Sequence, residues 1–183
     1  MKKTAKLTIM AMLTAISVVL VYLVHFWIFP AANFLEYDPA DIPILIGAFM
    51  YGPIAGLALT LVASAIQALT VSAKSGLYGF IMHLISTGTL TAVASTIYLK
   101  LHRKNALLLP LALAGGVFAM AGVMLIANHF VTPVFMGVPV QTVDAMLLPV
   151  FLPFNIIKGG INSLITFFAY KHGIEPFFRK KLQ

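Results

Sequence analysis

IPILIGAFMYGPIAGLALTLVASAIQALT, Ile42–Thr70, is the stretch on which the fold turns. It carries no charged side chain. At about 1.5 Å per residue, one helix over its roughly 29 residues would reach about 44 Å. Crossing about 30 Å of hydrocarbon takes only about 20 residues. Gly52-Pro53 lies inside it. Proline has no N–H and a fixed φ, so it breaks a helix or opens a new one at the first turn. The stretch is therefore one long kinked span or two spans hinged at Gly52-Pro53.

Charge decides between them. Four further apolar stretches flank this one: Leu7–Phe29, Leu77–Leu99, Leu107–Phe130 and Val150–Tyr170. With two spans in 42–70 there are six in all and both termini lie on one side. That side holds Lys2, Lys3, Lys6, Lys100, Arg103, Lys104, Lys171, Arg179, Lys180 and Lys181, against Lys74 alone in the opposite loops. With one span, the inner side keeps only Lys2, Lys3, Lys6 and Lys74. The positive-inside rule selects six spans with both termini cytoplasmic. The expected spans are 7–29, 42–51, 53–71, 77–99, 107–130 and 150–170, in a single membrane domain. The second reaches only about 15 Å and needs shelter from its neighbours. The long outer loops are Pro30–Asp41 and Val131–Pro149, which places a ligand on the outer face.

The totals agree. Of 183 residues, 61% are hydrophobic and 9% charged, and the mean hydropathy is +1.00. A soluble domain is about 25% charged. A soluble enzyme, a nucleic-acid module and a disordered chain are excluded. The net charge of +7 is the cytoplasmic loading of a membrane protein rather than a nucleic-acid footprint. The absence of cysteine removes disulfides, thiolate metal sites and cysteine nucleophiles. The basic start followed by an apolar run reads as a retained first span, since membrane-length segments follow it.

The last span carries Asn155, Lys158 and Asn162 at i, i+3 and i+7, on one helical face. A lysine within a span usually faces a cavity or a partner. Snorkelling to the interface is the plain alternative, but it needs no amide neighbours. Asn128 and His129 end the fifth span on the same side; Asn128 either caps that helix or faces the cavity of Lys158. His25, His83 and His129 have no metal-ligand spacing and no carboxylate in helical register, and read as packing or interface histidines. In Phe34-Leu35-Glu36-Tyr37-Asp38-Pro39-Ala40-Asp41-Ile42-Pro43, Asp38 reads as an N-cap, Pro39 as N1 and Asp41 as the N3 acid. The patch can also line a ligand entrance, with Phe34, Leu35 and Tyr37 as stacking surface. A catalytic metal lacks a second acidic motif here. Ala11 and Ala15, four apart, permit close helix approach, within the bundle or to a partner. No phosphate loop, and no carboxylate inside a span, offers an energy source.

Taken together, the basic N-terminus, the Ala-x-x-x-Ala of the first span, Tyr37-Asp38-Pro39-Ala40-Asp41-Ile42-Pro43, Tyr51-Gly52-Pro53 and Pro153-Phe154-Asn155-Ile156-Ile157-Lys158-Gly159 form a recognisable set. The chain resembles the substrate-binding S-components of energy-coupling factor (ECF) vitamin transporters, and within them the riboflavin-specific RibU branch. The resemblance implies an all-α integral membrane protein of a prokaryotic cell membrane that is not an enzyme and has no cofactor or metal. It implies riboflavin as the transported ligand, held from the outer face by Asn128, Asn155 and Lys158, with a first-loop contact within Ala40, Asp41, Ile42 and Ile44. Tyr37 belongs with that loop. Asn162 and His83 are added on the residues alone. The resemblance further implies docking through Ala11 and Ala15 on a transmembrane coupling subunit, with two cytoplasmic ATPases driving release inside. The rivals are an S-component for thiamine or a pterin-like compound, a membrane-embedded transferase using the acidic loop, and a structural subunit without a ligand.

Overall fold

The structure, a computed structural model, describes residues 3–24, 26–29, 35–101 and 108–176. Lys2, His25, Phe34, Arg103, Lys104 and the basic run at 179–181 lie outside the described residues. Among the described residues six helices follow one another: α1 Lys3–Leu23, α2 Asp41–Tyr51, α3 Pro53–Leu69, α4 Gly76–Lys100, α5 Leu108–Met136 and α6 Val140–Ile174. The last contains two π-helical turns, Leu147–Phe151 and Ala169–Ile174. By length and composition α1, α4, α5 and α6 are long and apolar enough to cross a membrane, whereas α2 and α3 are shorter apolar helices.

Backbone chemistry sets the α2–α3 break. Gly52 has φ 98° and ψ 169°, a region essentially reserved for glycine. Its N–H donates to Ala48 O at 2.8 Å and ends α2, while Pro53 opens α3 where no intrahelical N–H is required. At about 16 Å, α2 is too short to span the hydrocarbon. It survives by burial: every residue from Asp41 to Phe49 is buried, and α2 packs on α1, α3, α4 and α6. Below it, Phe49 packs against Tyr98 and Tyr170 with ring centroids 5.2 and 5.3 Å away. Lys6 lies over the Tyr51 ring. The basic ends of α1, α4 and α6 thus gather at one end of the bundle.

At the opposite end the chain between α1 and α2 makes a small antiparallel ribbon, β1 Phe26–Trp27 on β2 Glu36–Tyr37, with Phe26 opposite Tyr37. A second apolar cluster of Leu35, Val143, Phe151 and Phe154 packs there. The sequence leads one to expect the fifth span to end at Phe130 and a loop over Val131–Pro149. The structure differs: α5 runs on to Met136 with Pro133 inside it, and helix resumes at Val140. The true stop is Gly137, at φ 64°, with Val138 N–H on Pro133 O at 3.2 Å, the glycine-terminated helix end in which the second residue past the cap reaches back. Asn128 is therefore one face of a continuing helix rather than a cap.

Candidate functional site

A cavity of about 480 Å³ lies between the ribbon end and the helices, within the size range of small-ligand pockets. Of the residues singled out by sequence, Asn128, Asn155, Lys158 and His83 line it. Tyr37, Ala40, Asp41, Ile42, Ile44 and Asn162 are buried just behind and do not form its wall. Ala11 and Ala15 lie on an exposed face of α1, away from it.

One network joins the first loop to α6. Lys158, only 6% exposed, donates from Nζ to Asp38 Oδ2 at 2.8 Å. One turn on, Asn162 Nδ2 donates to the Asp38 main-chain O at 3.0 Å and to Asp41 Oδ2 at 2.8 Å. Its Oδ1 accepts from the Tyr37 hydroxyl at 2.7 Å. Asp41 Oδ1 accepts from Thr87 on α4, and Ser17 on α1 donates to Ala40 O at 2.9 Å. The i, i+3, i+7 stripe of α6 thus divides its work: Asn162 fastens the loop, Lys158 bridges loop and cavity, and Asn155 faces the cavity. The snorkelling alternative for Lys158 is overturned, because the ammonium is buried against a carboxylate rather than drawn to an interface.

Three local expectations are corrected. Asp38 does not cap α2: the helix opens at Asp41 after Ala40, without a side-chain cap bond. Instead Asp38 Oδ1 accepts from Ala40 N–H at 3.1 Å, a turn closed two residues on. That contact leaves its other oxygen for Lys158. Nor is the interior free of carboxylates, since Asp41 is fully buried. Two of the histidines do meet carboxylates, across the fold rather than along one helix. His129 on α5 pairs with Asp144 on α6. His83 Nε2 stands 3.9 Å from Asp38 Oδ1 and 3.8 Å from Asp41 Oδ1.

Electrostatics follow from that packing. Burial works to raise the Asp38 pKa, but the Lys158 ammonium and then His83 outweigh it and hold the carboxyl below its usual value. Burial first, and then the charges of Asp38 and Asp41, push the Tyr37 hydroxyl up, so it remains a donor to Asn162 at neutral pH. Asp38, Asp41 and His83 bring three potential ligand atoms within 4.8 Å of one another, a spacing able to hold a cation. Lys158 already supplies a positive charge at Asp38.

The remaining donors face the cavity. An ammonium has three N–H bonds, and Lys158 uses one on Asp38. Asn155 spends one N–H on Phe151 O at 2.7 Å. Asn128 gives one to Met124 O at 2.7 Å and accepts from Thr132 Oγ1 at 2.8 Å, which fixes its rotamer. Apolar wall comes from Leu35, Met82, Met124, Phe151 and Phe154. Tyr78 and Phe135 stack within the lining, centroids 3.8 Å apart. The arrangement can clasp a flat apolar ligand and hydrogen-bond its polar edge. Sequence reading missed Asp38 as the partner of Lys158, and it missed Gln67 and Ser64, which also line the cavity. A polar residue inside an apolar stretch was the available signal for these last two.

The whole chain also resembles known proteins. It is 28% identical over 171 residues to "Riboflavin transporter FmnP" of Bacillus subtilis (strain 168), covering 89% of this chain and 88% of that one. It is 27% identical over 177 residues to "Riboflavin transporter RibU" of Staphylococcus aureus (strain TCH60), covering 93% and 91%. A solved structure, described as "Structure and mechanism of the S component of a bacterial ECF transporter", superposes with a TM-score of 0.82 at 26% identity, over 93% of this chain and 96% of that one. The profile "ECF transporter, substrate-specific component" matches residues 5–170. The chain belongs to the substrate-specific components of ECF transporters, a family of transporter subunits rather than enzymes.

Proposed function

We propose that this chain is the riboflavin-binding S-component of an ECF importer. It takes the vitamin from the outer face of a prokaryotic cell membrane and releases it inside when coupled to an ATP-hydrolysing module. The observation that carries the reading is the cavity itself. Asn128, Asn155 and Lys158 converge on one apolar chamber, in a chain whose relatives are named riboflavin transporters. Riboflavin is neutral, with a flat ring system, a polar pyrimidine edge and a ribityl chain. Lys158 then acts as a hydrogen-bond donor, kept in place by Asp38 rather than by the ligand. Asn155 and Asn128 read polar atoms of the vitamin. His83 presents Nε2, buried and without a hydrogen bond, while its Nδ1 is fixed by Ser64 Oγ at 2.7 Å. Tyr37, Asp41 and Asn162 act from behind the wall by holding the loop, Ala40 and Ile42 are buried at the start of α2, and Ile44 packs with Leu59 and Ala63 on α3.

The chain crosses the membrane as one six-helix domain with both termini in the cytoplasm. Support comes from the gathering of Lys6, Lys100 and Lys171 at the end opposite the cavity. The short α2 and α3 are sheltered by the longer helices. The exposed Ala11 and Ala15 face of α1 docks on the transmembrane coupling subunit, which works with two cytoplasmic ATPases.

The test is the visible spectrum of the protein purified in detergent, followed by riboflavin titration read by flavin fluorescence. Yellow protein, or saturable quenching at about one ligand per chain, is the expected result. Colourless protein without quenching would remove riboflavin and send the search to other vitamins.

A further inference from the structure

One wall of the cavity enters the function proposed above only through His83 and the Ser64 that holds it. It is built from the end of α3, the following turn and α4, and it presents Ser64, Gln67, Ser72, Ser75 and Ser86. Gln67 is 5% exposed, yet its Nε2 has no hydrogen-bond partner. A buried amide donor without an acceptor is costly, and native structures rarely keep one without a reason. Its main-chain O already accepts from Thr70 and Ser72 N–H at 3.1 and 2.8 Å, which holds the backbone of the turn that carries it. Across the cavity stand Met124, Phe151 and Phe154. The two sides differ in emphasis: Met124, Phe151 and Phe154 give one side its apolar surface, and the Gln67 amide with four serine hydroxyls gives the other a polar one, which Lys74 and His83 also line.

We propose that Gln67, with the serine hydroxyls beside it, forms a subsite for a neutral polyhydroxylated chain on the ligand, and that the orphan Nε2 donates to one of its hydroxyl oxygens. Serine hydroxyls both donate and accept, as sugar-alcohol hydroxyls do, so such a wall can satisfy each hydroxyl in turn. A site that hydrogen-bonds hydroxyls rejects analogues lacking them, because its own buried groups are then left unpaired. This rests on the riboflavin reading and deepens it: the subsite takes the ribityl chain, and the ring lies against the apolar wall.

The experiment compares riboflavin with lumiflavin, which has a methyl group in place of the ribityl chain, on detergent-purified wild type and Gln67→Met. Wild type prefers riboflavin. The variant loses about tenfold in riboflavin affinity, the scale of one buried hydrogen bond, and keeps its lumiflavin affinity. Retained lumiflavin binding also reports that the pocket is folded. Equal losses for both ligands, or loss of both, would overturn the subsite, since the ring site would then depend on Gln67 as well. Unchanged riboflavin preference in Gln67→Met would overturn it while leaving the riboflavin reading intact. Wild type that binds neither flavin would overturn both.

Discussion

Replacing Lys158 with methionine keeps most of the side-chain volume but leaves the half-buried Asp38 without its cation. It also removes the ammonium's hydrogen bond to the ligand, which is charge-assisted, and such bonds contribute about 1.5–3 kcal/mol. Lys158→Met is therefore expected to weaken riboflavin binding by about 2 kcal/mol, roughly thirtyfold. Unchanged affinity in a fluorescence titration would take Lys158 out of the ligand site. Asp38 also gives the protein an acid limit. Its folded pKa lies below the ordinary carboxylate value, so the protein binds fewer protons there than the unfolded chain does. The resulting stability is fully present above the unfolded value of about 3.9 and is lost as pH falls through the lower folded value. The melting temperature in detergent should hold on acidification to about pH 4 and drop below it. Asp38→Asn should flatten that drop, and an equally steep drop in the variant would assign it to other groups.

At the scale of single elements, the α2–α3 junction is the most sharply specified. Gly52→Ala places a Cβ at φ 98° and ψ 169°, where only glycine is comfortable. The expected cost is about 1–3 kcal/mol, read as a lower melting temperature. A neutral substitution would mean that the junction relaxes to another geometry. α5 teaches the opposite lesson. From its sequence the fifth span is expected to end at Phe130, yet the helix passes through Pro133 to Gly137. A proline removes one N–H and crowds one turn, a local price that packed neighbours can absorb. The glycine beyond it sets the end, because only there does the backbone turn left-handed and let Val138 close the last turn.

For the whole molecule, α1 is the least buried of the four long helices. It packs on α2 and α3 alone among the larger contacts. Its exposed face, with Ala11 and Ala15 among Met12, Ile16 and Val19, is smooth enough for another helix to approach closely. Ala15→Trp is expected to abolish co-purification with a coexpressed coupling module while leaving riboflavin affinity unchanged. Retained co-purification would move the docking face elsewhere.

Composition and the length of the apolar runs by themselves determined a helical membrane protein, because lipid leaves the backbone no alternative to hydrogen bonds within each segment. Spacing alone placed Asn155, Lys158 and Asn162 on one face, since helical period is a local property. The partner of that face was not local. Asp38 and Lys158 are 120 residues apart, and nothing in the first loop says which of its acids meets which helix. Asp38 looked like an N-cap, and Asp41 like the N3 acid of the same helix start. Only packing of the loop against α4 and α6 showed one as a half-buried counter-ion at the cavity and the other as a sealed anchor. The division of Lys158 from Asn162, the extra turns of α5 and the unpaired amide of Gln67 were likewise decided in three dimensions. Burial, and with it the cost of leaving a polar group unpaired, is a property of the assembled fold and not of any stretch of chain.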